Sequence, residues 1–397
     1  MRWICLLGPS PGGSLAVARH GRRLVVLVPP GGAVPGRVTA HAARVVVTDI
    51  TDHTAVRAAV DALTAELGPP ELVVSFTELA QETSARLATD LGLPSVSPEA
   101  AARARDKTET RRLLADTPYA WPYVGGTVRE IAARVAAGGD DTRWVIKPVA
   151  GTGSSDVSTV SSRAEAERWL DGAGAGRYIA EHAAQGPEFG VDVVSVDGRH
   201  TPFAITAKRS TESPRFVETL HVYPASVSAT DEALLYDAAF AVLDALDVRW
   251  GASHTQVRLD PTHGPVIIET HTRLAGDYLP ELVELVTGRD LYDFHLAALL
   301  GTGPAREGTG TAGAAAIGYV LPPASGTLTD LGVEPTDEVV RWEFHKALGD
   351  PVREVRGSDD RIGYAIVLGA TAEEAVASVA RAVANVRVRV AAPQGPP

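Results

Sequence analysis

The chain has 397 residues, 45% of them hydrophobic and 22% charged, which excludes a disordered or fibrous protein and leaves room for about two to three domains with real cores. With 37 Lys and Arg against 49 Asp and Glu the net charge is −12, a balance that disfavours nucleic acid and anionic membranes, because both are bound through clustered cations. A single cysteine, Cys5, excludes an internal disulfide and a cysteine-based zinc site. The apolar run from Ile4 to Leu7 is too short for a signal sequence, and no stretch nears the roughly 18 apolar residues of a membrane span, so the expected location is cytoplasmic.

The first hundred residues alternate apolar runs (Arg2 to Leu7, Leu24 to Val28, Val45 to Thr48, Leu72 to Phe76) with helical stretches (Ala55 to Leu67, Ala80 to Leu91). Unbroken apolar runs are the pattern of strands buried on both faces, and strand–helix alternation predicts a parallel α/β sheet. The loop Gly8 to Ser14 lacks the Gly-Lys-Ser/Thr ending of a P-loop and the GxGxxG register, and reads as a strand-to-helix turn. A helix is predicted over Glu99 to Leu114, with Arg105-Asp106-Lys107 in its middle. Then come the strand Trp144 to Pro148, a glycine-rich loop over Gly151 to Asp156 and the strand Val157 to Val160, a hairpin pattern. Several strands and the helix Asp231 to Leu246 fill Tyr178 to Ile268. The last block, Gly313 to Val390, is another α/β unit with the strand Gly363 to Leu368 and the helix Thr371 to Asn385, and the Pro/Gly-rich tail Ala391 to Pro397 is expected to fray.

Three stretches carry chemistry. Lys147 stands four residues before Gly151-Thr-Gly-Ser-Ser155, so an ammonium precedes a loop whose backbone N–H groups can close over a polyphosphate; a plain glycine turn is the alternative. In Tyr178-Ile-Ala-Glu181-His-Ala-Ala-Gln-Gly-Pro-Glu188 two carboxylates seven residues apart can read a base edge and a ribose hydroxyl, or can simply be solvated acids beside a turn. The strands carrying Gln256 and Glu269 are joined by a turn over Asp260 to Gly264, which brings those two residues near each other. Period-two alternation places Glu269, His271 and Arg273 on one face. That set is costly in a core and makes sense around Mg²⁺ and phosphates, with a solvated edge face as the alternative.

Together these residues resemble the ATP-grasp superfamily and, within it, the carboxylate–amine ligases that join L-amino acids. The resemblance covers nearly the whole chain and implies an α/β ATP-grasp fold: an N-terminal parallel α/β domain over 1–104, an ATP-grasp domain over 105–312 with a glycine-loop lid at about 120–185, and a C-terminal α/β subdomain over 313–397. It implies that Lys107, Lys147, Gly153, Ser154, Glu181, Ala184 and Glu188 bind ATP. Phe216-Val-Glu218-Thr-Leu-His221 is similar to the family's Glu-x-x-His substrate motif, and Glu269-Thr-His-Thr-Arg273-Leu-Ala-Gly276-Asp277 to its metal and acyl-phosphate motif. Glu218 and His221, with Arg273 and Gly276, are then expected at the substrate. Arg273, Gly276 and Lys208 are expected at the transferred phosphoryl group, and Gln256, Glu269 and His271 at Mg²⁺ or Mn²⁺. The implied protein is a homodimer acting on small amino-acid or amine substrates.

Two departures stand out: Gln256 takes the place of the usual first metal Glu, and His271 that of an Asn two residues after the second. They leave open two alternatives, a ligase for a non-amino-acid carboxylate and a nucleotide-binding pseudoenzyme. The lysine count favours function, because only Lys107, Lys147, Lys208 and Lys346 survive among 37 basic residues and the first two fall on the ATP framework.

Overall fold

The computed structural model describes residues 2–137, 142–151, 153, 156–211, 215–306, 308–334 and 338–392. Its N-terminal sheet is parallel, ordered Ala42–Val47, Arg23–Val28, Trp3–Leu7, Leu72–Ser75. Trp3, Cys5 and Leu7 face one apolar cluster and Ile4 and Leu6 another, as continuous apolar runs require when helices cover both faces. The strand predicted at Val45 to Thr48 is the exception. It lies at the sheet edge and leaves Val45 and Val47 exposed, because no strand lies beyond it.

The loop after the first strand is a structural turn. The Ser10 side chain accepts from the Gly13 N–H (3.2 Å) and caps the helix Pro11–Arg19. A Cβ at Gly12 would meet the Tyr292 ring at 2.4 Å, and one at Gly13 the Phe76 ring at 2.3 Å, so these glycines serve close packing.

The single helix predicted over Glu99 to Leu114 is two helices, Pro98–Arg105 and Lys107–Leu113. Asp106 is extended between them, and its carboxylate accepts from the Thr108 and Glu109 N–H groups (2.9 and 3.1 Å). An Asp in that geometry starts a new helix, and it sets Lys107 at the first position with its side chain turned inward. Next comes a four-stranded antiparallel sheet ordered Tyr123–Thr127, Arg177–His182, Trp144–Pro148, Ser158–Val160. The helices Val128–Ala137 and Arg163–Gly172 close one of its faces through Ile131, Val135 and Ala166.

An eight-stranded antiparallel sheet forms the centre, ordered Gly264–His271, Gly251–Asp260, Glu188–Val196, Arg199–Ser210, Glu218–Tyr223, Ala314–Val320, Gly363–Gly369, Val339–Phe344. The helix Ala229–Leu246 buries Leu235, Val242, Leu243 and Leu246 on its first strands, and the helix Ala372–Ala384 packs Val379 on its last ones. The strands of the final sequence block therefore extend the central sheet through the pairing of Glu218–Tyr223 with Ala314–Val320. Among the described residues no helix is long and apolar enough to cross a membrane.

Candidate active site

One cleft lies between the four-stranded sheet and the central sheet, and Lys107, Lys147, Gly153, Glu181, Glu188, Glu218, Gln256 and Glu269 all line it. At its first end, three cations converge on buried carboxylates. Lys147 Nζ lies 2.7 Å from Glu181 and donates to the Ile268 carbonyl (3.1 Å). Arg111, one helical turn after Lys107, donates through Nε to the other Glu181 oxygen (2.5 Å) and through a terminal nitrogen to the Ile267 carbonyl (2.5 Å). Lys107 Nζ lies 3.1 Å from Glu269 and donates to the Gly151 carbonyl (2.9 Å). Burial alone would raise the Glu181 pKa, but Arg111 and Lys147 outweigh it and bring it down to about 2. Burial also lowers the Lys147 pKa, only partly offset by Glu181. Gly153 has φ +62° and lines the cleft; Ser154, expected beside it, lies outside the described residues. Ala184 is in the connection after Arg177–His182, where its carbonyl accepts from Arg258 (3.3 Å), and Arg258 also pairs with Glu188 across the sheet (2.9 Å). The Asp260 carboxylate accepts from the Gln185 N–H (2.8 Å) and fixes this connection to the central sheet.

In the middle of the cleft, Gln256 and Glu269 are directly paired across antiparallel strands, as their spacing predicts. His271 lies on the Glu269 face, but its position differs from that of a metal ligand. Its Nε2 is 3.2 Å from Glu269 and its Nδ1 3.0 Å from Glu78, so both ring nitrogens are committed to carboxylates. Burial lowers the His271 pKa less than Glu269 and Glu78 raise it, and the net shift is upward. The imidazole expected as a nitrogen ligand thus lies between two acids, Glu269 and Glu78. Glu78 also holds Arg273 Nε (2.6 Å), and burial of Glu78 is outweighed by His271 and Arg273, so its pKa falls to about 2. Gly276 is exposed, with open space where a Cβ would stand.

The test for Mg²⁺ is the donor set itself. Among the described residues no three His, Cys, Asp or Glu side chains cluster as a metal cage. Glu269 and Gln256 offer one carboxylate and one amide oxygen, which fits an ion that keeps its waters and arrives with a polyphosphate.

At the far end, Glu218 pairs with Lys208 (3.5 Å) and Arg361 (3.2 Å). Arg361 also reaches Asp277 (2.9 Å), and His221 Nε2 lies 3.4 Å from the other Asp277 oxygen. Burial lowers the His221 pKa despite Asp277, so the ring is held neutral at pH 7. For Asp277 the order is reversed: burial raises its pKa, and His221 and Arg361 together push it well below the carboxylate range. Asp277 and Tyr278 both have left-handed backbone (φ +55° and +61°), a conformation costing non-glycine residues about 1–3 kcal/mol each. The Tyr319 hydroxyl donates to the Asp277 carbonyl (3.0 Å) and helps to hold it. Lys346, the remaining lysine, is not among the residues lining the cleft.

Of the expected set, Lys107, Lys147, Gly153, Glu181, Ala184, Glu188, Glu218, Gln256 and Glu269 line the cleft; Lys208 and His271 pair with lining acids, whereas His221, Arg273 and Gly276 are not among its lining residues. Sequence reasoning missed Arg111, whose i+4 spacing from Lys107 is a signal once the helix start at Asp106 is seen. It also missed Glu78 and Arg361, which arrive from opposite ends of the chain and have no local signature.

The sequence comparisons agree with this geometry. Residues 141–281 match the ATP-grasp domain, and residues 318–391 match L-amino acid ligase C-terminal domain 2. The fold is that of an L-amino acid ligase from Bacillus licheniformis (TM-score 0.83, 20% identity, 98% of this chain and 99% of that one). It is also that of a phosphoribosylglycinamide synthetase from Anaerococcus prevotii (TM-score 0.74, 17% identity, 98% and 100%). The ATP-grasp match is to residues 141–281, and the whole chain shares its fold with these two structures. Both the C-terminal match and the first of these full-length structural likenesses are to L-amino acid ligases. Among curated proteins it is 24% identical to an uncharacterized protein of Sinorhizobium fredii over 79% of this chain, spanning 67% of that protein. It is 27% identical to carnosine synthase 1 of Gallus gallus over 58% of this chain, spanning only 27% of that longer protein.

Proposed function

We propose that the protein is an ATP-dependent ligase that joins an amino-acid carboxylate to an amine through an acyl phosphate, releasing ADP and phosphate. The observation that carries this is the continuity of the cleft: Lys107, Lys147 and Glu269 share one cavity with Glu218. A carboxylate held at the Glu218 end therefore lies in the same cavity as a γ-phosphate held at the lysine end.

In this reading Lys107 and Lys147 hold the α- and β-phosphates, the connection through Ala184 takes the adenine with Glu181 at its exocyclic amine, and Glu188 takes the ribose. A structure of similar fold, the biotin carboxylase domain of the Hydrogenobacter thermophilus 2-oxoglutarate carboxylase, was solved in complex with MgADP. Here Glu269 and Gln256 would hold Mg²⁺, which supplies charge neutralisation at the phosphates. A substrate carboxylate oxygen attacks the γ-phosphorus, the bond to the β-phosphate oxygen breaks, and ADP leaves. The amine nitrogen then attacks the acyl carbon, and phosphate departs with the electron pair of the C–O bond while the amine loses a proton. Arg273, aimed by Glu78, and the Gly276 backbone serve the developing oxyanion, with Lys208 at the acyl phosphate. Glu218 and neutral His221 receive the α-ammonium of the first substrate. Such a reaction depends on positioning and charge neutralisation more than on covalent participation by the protein. A homodimer is part of the proposal, after the family resemblance.

The test is ADP formation across pairs of amino acids, with mass spectrometry of the products. ADP release that depends on an amino acid, together with an amide product, supports the reading. Release driven only by carboxylates that lack an amino group would instead identify a ligase of non-amino-acid substrates.

A further inference from the structure

The segment 353–361 lies within the C-terminal match, yet its last residue pairs with Glu218, which lines the cleft. Arg353 pairs with Asp360 (2.5 Å), whose other oxygen accepts from the Arg356 and Gly357 N–H groups (2.7 and 3.0 Å), so the segment folds into a tight turn. From that turn the Ser358 N–H donates to the Gly153 carbonyl (3.2 Å), and its hydroxyl donates to Glu218 (3.4 Å). Three residues on, Arg361 bridges Glu218 and Asp277 with its guanidinium stacked 3.8 Å from the Tyr319 ring centroid. It is 5% exposed, and its buried Nε has no hydrogen-bond partner among the described residues.

Glu218 and Asp277 come from different elements and meet on one guanidinium, and like charges held that near repel. Lys208 pairs with Glu218 and His221 with Asp277, whereas Arg361 pairs with both. Its planar fork fixes the separation of the two carboxylates in a way a point charge cannot.

We propose that Arg361 is the specificity-determining positioning residue of the amino-acid site: it sets the Glu218–Asp277 pair at the spacing that receives an α-ammonium, so the C-terminal segment selects α-amino acids over carboxylic acids lacking the amino group. This rests on the ligase reading above. The same turn touches both Gly153 and Glu218.

The experiment is steady-state ADP release by wild type, Arg361→Met and Arg361→Lys, with ATP and the amino acid varied separately. Losing a charge-assisted contact predicts that Arg361→Met raises the KM for the amino acid by about ten- to a hundred-fold while the KM for ATP stays within about two-fold. Arg361→Lys, which keeps the charge and loses the fork, should fall between and provides the test if Arg361→Met fails to fold. Equal rises in both KM values, or an amino-acid KM unchanged in Arg361→Lys and Arg361→Met, would overturn the proposal while leaving the ligase reading intact. A wild type that releases no ADP with any amino acid would overturn both.

Discussion

The two ends of the cleft are built differently. At the nucleotide end most charged groups sit in motifs with a local signature, Lys147 before the glycine loop and Glu181 at the end of its strand, and these motifs then converge from distant parts of the chain. At the amino-acid end Glu218, Asp277 and Arg361 are separated by 59 and 84 residues and meet only because three elements pack together. A residue in a motif with a local signature can be read from sequence spacing; one such as Arg111 or Arg361, placed against its partners only by tertiary packing, cannot. In the proposed function, the same division separates binding of ATP from selection among carboxylates and amines.

The sharpest way to break this comparison is at Lys147. Lys147→Ala leaves Glu181 with Arg111 as its remaining cation and removes a phosphate contact. Calorimetry should show ATP affinity lower by about 1.5–3 kcal/mol, and denaturant unfolding should show a stability loss of about 3 kcal/mol, the scale of a broken buried pair. Unchanged ATP binding would remove Lys147 from the nucleotide end.

At the other end, Glu218→Gln should raise the KM for the amino acid about ten-fold and leave that for ATP within about two-fold, since one charge-assisted contact is lost. Parallel changes in both would mean that the two ends are not separable in function.

Between them, Gln256→Glu adds a carboxylate opposite Glu269. Mg²⁺ prefers hard charged oxygen, so the Mg²⁺ concentration for half-maximal ADP release should fall by about several-fold. A higher requirement would mean that the Gln256 side chain does not face the ion.

The smallest expected effect is at Asp260, which supports the nucleotide end from outside. Backbone N–H groups of Gln185, Thr262 and His263 act against its desolvation and hold its pKa at about 2, below the usual 3.8. A depressed carboxylate stabilises the fold above its unfolded pKa and loses that contribution as pH falls through its folded value. Asp260→Asn should therefore cost about 1 kcal/mol at neutral pH, and the difference from wild type should vanish between about pH 4 and pH 2. Thermal unfolding of both proteins across that range measures it.

Much of the fold was legible because apolar runs, alternation and turn residues act locally. The buried N-terminal strands, the hairpin joining Gln256 to Glu269, and the helices Ala229–Leu246 and Ala372–Ala384 all fall where their patterns predict. Two local readings needed the structure. The apolar pattern runs through Asp106, so the capping role that splits one helix into two is visible only in its extended backbone. The run at Val45 looks buried, but it is the sheet edge that decides its exposure. In the site, alternation places Glu269 and His271 on one strand face as expected, whereas Arg273 lies beyond the strand end and the surroundings of His271 depend on Glu78, 193 residues away. With both ring nitrogens on carboxylates, the imidazole orients the acids beside it.

The central claim is that one cleft couples ATP cleavage to an amino-acid carboxylate. The most direct measurement is ADP release by the wild-type protein with ATP and Mg²⁺, across pairs of L-amino acids, with the products weighed by mass spectrometry. The account predicts ADP release that requires an amino acid and is matched by an amide of the expected mass. ADP formation indifferent to every amino acid, or none at any Mg²⁺ concentration, would contradict it.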